Sequence, residues 1–173
     1  MTEDFKGDLV ALAKIINSVI QNVNNGGCGY FALYLGEKLY ELGYDVDILT
    51  LELTINDKHL LQLREIYRKP FKTLKELNGR GGSINHILLR IGSNYIDTRG
   101  IYDSIDDVKK YYPEFTNMTT FDLDKLKSLC EEGGWNPMFD TSQLPKMEYL
   151  INKYTGKQIP IMDMLKIRLG LVG

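Results

Sequence analysis

Residues 84–100 read Ile84-Asn85-His86-Ile87-Leu88-Leu89-Arg90-Ile91-Gly92-Ser93-Asn94-Tyr95-Ile96-Asp97-Thr98-Arg99-Gly100. Two β-branched, apolar-rich runs, 84–91 and 94–98, flank Gly92-Ser93, and glycine in the first turn position suits a two-residue type II′ hairpin. That turn sets the register: Ile91 opposite Asn94, Arg90 opposite Tyr95, Leu89 opposite Ile96, Leu88 opposite Asp97 and His86 opposite Arg99. Because side chains alternate faces along a strand, His86, Leu88 and Arg90 share one face with Tyr95, Asp97 and Arg99. His86 and Asp97 are then diagonal neighbours, roughly 7–8 Å apart along the backbone, within reach of an imidazole–carboxylate pair. That face is expected to pack against the start of the helix that carries Cys28. A three-residue turn would put the pair on opposite faces unless a bulge restored the register.

Upstream, Leu9, Leu12, Ala13, Ile16, Val19, Ile20 and Val23 recur at three- and four-residue spacing and predict an amphipathic helix over 8–23. Asn24-Asn25-Gly26-Gly27 breaks it and leads into Cys28 and a second helix over 29–42, closed by Gly43. Tyr30 to Leu35 are apolar on every side, so this helix is expected to be central and buried. The first turn of a helix favours a thiolate through unpaired N–H groups and the helix dipole, and flanking glycines leave amides for an oxyanion. A buried, inert thiol at the same place is the plain alternative. A strand is predicted over 46–53 and one or two short helices over 58–77, broken at Pro70. A loop follows at 79–82, with further helices near 104–112, 122–132, 143–154 and 160–168. Pro113, Pro137, Pro145 and Pro160 punctuate the last part.

The run Gly26-Gly27-Cys28-Gly29-Tyr30-Phe31-Ala32 opening a helix, then His86-Ile87-Leu88-Leu89 on a strand and Tyr95-Ile96-Asp97-Thr98-Arg99-Gly100 on the next, resembles the papain-like cysteine hydrolases. Within them the Cys, His, Asp order is most similar to the transglutaminase-like and NlpC/P60-like branches. The resemblance covers residues 20–102 or so and implies an α+β fold. A central Cys-bearing helix would pack on a small antiparallel sheet, in a single domain over 1–173 with a helical C-terminal part from about 103. It implies acyl transfer on amide bonds through a thioester, with Cys28 as nucleophile, His86 as base and acid, and Asp97 fixing the imidazole tautomer. The substrate it implies is an amide-bearing protein or peptide; no cofactor is called for. Papain-type members carry a side-chain oxyanion donor upstream of the cysteine. Gln21, Asn22, Asn24 and Asn25 are the candidates, none at a matching spacing, which leaves the role mostly to the Cys28 backbone. The long interval between Cys28 and His86, and the lack of a flanking tryptophan, depart from the family pattern; Tyr30 and Tyr95 are the available substitutes.

At 173 residues, with 43% hydrophobic residues and a net charge of -2, the chain has the composition of an ordinary globular protein that needs no staple. Two cysteines, no apolar run of membrane length and an acidic N-terminus predict a cytoplasmic setting, free thiols and no membrane partner. Near-neutral charge argues against nucleic acid as a partner. Charge is uneven, however. Residues 57–80 carry a net +4 and residues 97–148 a net -5, which reads either as a solvated basic face or as a rim that attracts an acidic substrate or partner. His59 is expected on the surface, Cys130 in the core and Trp135 as a packing anchor or a substrate-stacking ring. A zinc site from Cys28, His86 and Asp97 is conceivable by ligand type, but the cysteine's place at a helix start favours catalysis. A non-catalytic interaction protein that keeps the same fold, for instance one encoded by a phage, is the competing class.

Overall fold

The computed structural model describes residues 1–53, 85–131 and 139–156. The basic stretch 57–80 with His59, the short helices expected at 58–77, the loop at 79–82, Trp135 and the helix expected at 160–168 lie outside the described residues.

Helix α1 spans Glu3–Val19. It starts five residues before the expected position 8 because Thr2 caps it, the hydroxyl accepting from the Phe5 N–H at 3.3 Å, with Glu3 and Asp4 in the first turn. It also ends earlier than its periodicity suggests: Val23 belongs to a π-helical turn, Val23–Gly27, that runs directly into α2, Cys28–Glu41. Helix α2 buries Cys28, Phe31, Ala32, Leu35 and Leu39, a three- and four-residue spacing on one side, and Gly29, Leu33 and Gly36 as well, so it is central as expected. Paired bonds from Gly43 N to Tyr40 O and from Tyr44 N to Leu39 O close it.

Five antiparallel strands follow: β1 Asp47–Leu53, β2 Asn85–Ile91, β3 Asn94–Asp97, β4 Gly100–Tyr102 and β5 Phe115–Phe121, in the order β4-β3-β2-β1-β5. The β2–β3 register is the expected one, with Ile91 opposite Asn94, Arg90 opposite Tyr95 and Leu89 opposite Ile96. Gly92 has φ +59, and Asn22 is the only non-glycine residue of positive φ among the described residues. Ser93 is therefore on the negative side, as a type II′ turn requires. Helices α3 Ile105–Tyr111, α4 Leu123–Glu131 and α5 Leu144–Tyr154 match the expected positions within a residue or two. Two strands were not read from the sequence. β4 is three residues long, and β5, Phe-Thr-Asn-Met-Thr-Thr-Phe, is a mostly exposed edge strand without a continuous apolar face.

The fold is α+β, and its sheet is buried on both faces. Ile48, Ile87, Leu89 and Ile96 face the core built by α1, α2, α4 and α5, whereas Leu49, Leu51 and Leu88 face Val108 and Tyr112 at α3. Each fully buried Leu, Ile or Phe in these layers contributes about 1.5–3 kcal/mol. Among the described residues no helix is long and apolar enough to cross a membrane.

Candidate functional site

Asp97 ends β3, and its carboxylate does two jobs. Oδ1 accepts the backbone N–H of Arg99 at 2.7 Å and of Gly100 at 3.1 Å, which turns the chain through Thr98-Arg99 into β4. Arg99 therefore sits in a turn and does not continue the strand opposite His86; the carboxylate's hold on its backbone ends β3 first. Oδ2 is left to meet His86 Nε2 at 2.7 Å. Both side chains are buried, and they share a sheet face as the register requires.

That face is nevertheless not the one on which α2 lies. His86 alternates with Ile87 and stands opposite Leu51, so it points to the α3 side, while α2 packs across the Ile87, Leu89 and Ile96 side. The expected packing of the pair's face against the start of α2 is thus corrected: α3 and Tyr112 occupy that face. His86 is the second residue of β2 and Asp97 the last of β3, so the imidazole stands at the end of the sheet, where nearby Cys28, first residue of α2, strengthens its hold on a proton. Since Nε2 is taken by Asp97 and by the hydroxyl of Tyr112 at 2.9 Å, Nδ1 is the nitrogen left for Cys28.

Burial alone would push the His86 imidazole below its usual 6.5; its bond to Asp97, the nearness of Cys28 and the charges of both outweigh that and hold it up at about 9. Burial likewise favours the neutral acid at Asp97, yet His86, the Tyr112 hydroxyl and the Arg99 N–H together hold its carboxyl below the usual range. The two shifts agree, and the pair is an imidazolium–carboxylate at neutral pH. Tyr112, which the sequence did not single out, donates to Asp97 Oδ2, and its ring lies 4.7 Å from the His86 ring. Its only sequence signal is that a buried tyrosine needs a partner for its hydroxyl.

On the cysteine side, the π turn changes the expected supply of oxyanion donors. The Gly27 N–H points back to Asn22 O at 3.4 Å and is not free. Asn24 is committed too, donating to Asn17 Oδ1 at 2.7 Å and accepting from the hydroxyl of Thr98. Gln21 pairs through its backbone with Gln143, Asn22 is exposed with φ 57, and the Asn25 side chain lies outside the described ones. Gly27 is required by contact: a Cβ there would stand 2.6 Å from the Phe139 ring, which stacks on Tyr30 at 5.5 Å. Cys28 itself is only 3% exposed.

Cys130 lies in the core as expected. Burial first, then the charges of Cys28, Glu131 and Glu37, push its thiol up to about 12. Both cysteines are free, and among the described residues no three His, Cys, Asp or Glu side chains gather so as to hold a metal ion. Compared with protein-family models, curated proteins and solved structures, the chain matches none of them.

Proposed function

We propose that the chain is a papain-like, cysteine-dependent acyl-transfer enzyme acting on amide bonds of a peptide or protein, with Cys28 as nucleophile, His86 as base and acid, and Asp97 as the orienting carboxylate. The observation that carries this reading is the file of Cys28, His86 and Asp97, in which one buried imidazole bonds a buried carboxylate and has Cys28 near enough to strengthen its hold on a proton. Such a file has one economical use in chemistry. In the reactive form the Cys28 proton already resides on the His86 imidazolium; the sulfur attacks the carbonyl carbon, and the C–N bond breaks as the amine leaves with the proton that His86 gives up. Water or a second amine then gives a proton to His86 and attacks the thioester, which releases the acid or the new amide and restores the thiol. Asp97, buried and ionised, keeps Nε2 protonated and Nδ1 toward the sulfur throughout. A reducing cytoplasm suits a free nucleophilic thiol.

The test is acylation with an activated ester, p-nitrophenyl acetate, followed by mass mapping. A burst of nitrophenol and an acetyl group on Cys28 are expected. Cys28→Ala should abolish both, His86→Ala should slow acylation by about 10³-fold or more, and Asp97→Asn should leave a measurable remainder. Acetylation no faster at Cys28 than at Cys130 would overturn the reading in favour of a non-catalytic interaction protein.

A further inference from the structure

Tyr112 stands just past α3, on a different element from Cys28, His86 and Asp97. A carboxylate can only accept, so the Tyr112 proton goes to Asp97 Oδ2, and the Arg99 guanidinium lies over the Tyr112 ring, 5.2 Å from its centroid. The same oxygen is 2.9 Å from His86 Nε2. With the proton of Tyr112 spent on Asp97, the three contacts Nε2–Asp97, Nε2–Tyr112 and Tyr112–Asp97 are all bonded only if Nε2 carries a hydrogen. Burial, then the neighbouring Asp97 charge, pushes the phenol's acidity far out of the working range, so the hydroxyl remains a donor. Tyr102 adds only long contacts to Asp97, at 3.4 and 3.5 Å, and cannot replace it.

We propose that Tyr112 is a positioning residue: its hydroxyl closes a triangle of hydrogen bonds with Asp97 Oδ2 and His86 Nε2 and so keeps Nδ1 aimed toward Cys28. It acts through Asp97 and His86 and does not touch the sulfur's substrate. The hydroxyl is not needed to anchor α3, which Val108 and the contact of the Tyr112 ring with Phe115 of β5 already hold against the sheet. The role rests on the reading of Cys28 and His86 as nucleophile and base, but it can be measured without a substrate.

Tyr112→Phe removes one oxygen. Alkylation of Cys28 by iodoacetamide at pH 7.5 should slow about tenfold, with Cys130 labelling near its original rate and the urea midpoint lowered only as far as one buried hydrogen bond accounts for. In an Asp97→Asn background the same change should cost less than twofold, because the hydroxyl has lost the acceptor through which it works. An unchanged Cys28 rate in Tyr112→Phe, or an equal loss in both backgrounds, would overturn the proposal. Should Tyr112→Phe fail to fold, the native protein decides: its His86 Nε2 proton should appear as a slowly exchanging downfield resonance with a nuclear Overhauser contact to the Tyr112 ring, and its absence overturns the proposal. Failure of ester acylation with these results intact would remove the enzymatic reading and leave the geometry standing.

Discussion

Thr98 donates its hydroxyl proton to Asn24 Oδ1, and this bond ties the turn that ends β3 to the turn that precedes Cys28. Thr98 is completely buried and follows Asp97 directly. The two residues therefore join, across 74 positions of sequence, the carboxylate end and the thiol end of the candidate site.

Thr98→Val, similar in shape but without the hydroxyl, should leave Asn24 Oδ1 without that donor and cost about 1–2 kcal/mol in urea unfolding. It should also slow Cys28 alkylation severalfold while Cys130 labels as before. Loss of stability with an unaltered Cys28 rate would mean that the bond supports the fold and has no part in placing the sulfur.

The raised imidazole makes stability depend on pH with a definite sign. A folded-state value of about 9 against an unfolded value near 6.5 means that the folded protein binds the proton more tightly. The contribution is complete below about pH 6.5 and is lost as pH rises through about 9, an amount on the order of 3 kcal/mol. Urea titrations between pH 6 and 10 should show this decline, and Asp97→Asn should flatten it. A native profile that rises across the window would contradict an imidazolium at His86.

The two thiols should differ in chemistry. Cys130, held up at about 12, stays a thiol at neutral pH, whereas Cys28 is near enough to the His86 imidazole to act on its proton. Iodoacetamide at pH 7.5, followed by peptide mapping, should label Cys28 at least about tenfold faster despite its burial, and His86→Ala should erase the difference. Equal slow labelling of both would count against a nucleophile–base pair.

Gly27→Ala should be costly at a position that is not part of the hydrogen-bonded file. The new methyl would meet the Phe139 ring at 2.6 Å, and overpacking of this kind costs about 1–3 kcal/mol. Pairing it with Phe139→Leu should recover part of the loss. No recovery would show that the strain is absorbed by the π turn instead of the ring.

Much of the site was legible because its strongest signal is local. Gly92-Ser93 and period-two alternation sufficed to bring His86 and Asp97 to one face, and the β2–β3 register agrees pair for pair where it was read to Ile96. It failed at Arg99, where a side-chain acceptor outbid the ladder for two backbone N–H groups. The apolar spacing of 29–42 marked the central helix, but the π turn before Cys28 was not readable, since Asn24-Asn25-Gly26-Gly27 looks like any polar break. Tyr112 was missed because its significance lies in an oxygen that meets residues 15 and 26 positions away. β5 was missed because an edge strand need not carry an apolar face.

The amino-acid sequence by itself determined the five helices described, strands β1 to β3 and the pairing within the β2–β3 hairpin, since turn chemistry and side-chain periodicity act over a dozen residues and are settled by local sterics. Only the tertiary structure decided which sheet face each helix covers. It placed α3 and Tyr112 on the His86 face of the sheet, and it brought Cys28 near enough to act on the imidazole. Those choices depend on which apolar surfaces bury one another across the whole chain, a sum of distant contacts that no stretch of sequence carries alone.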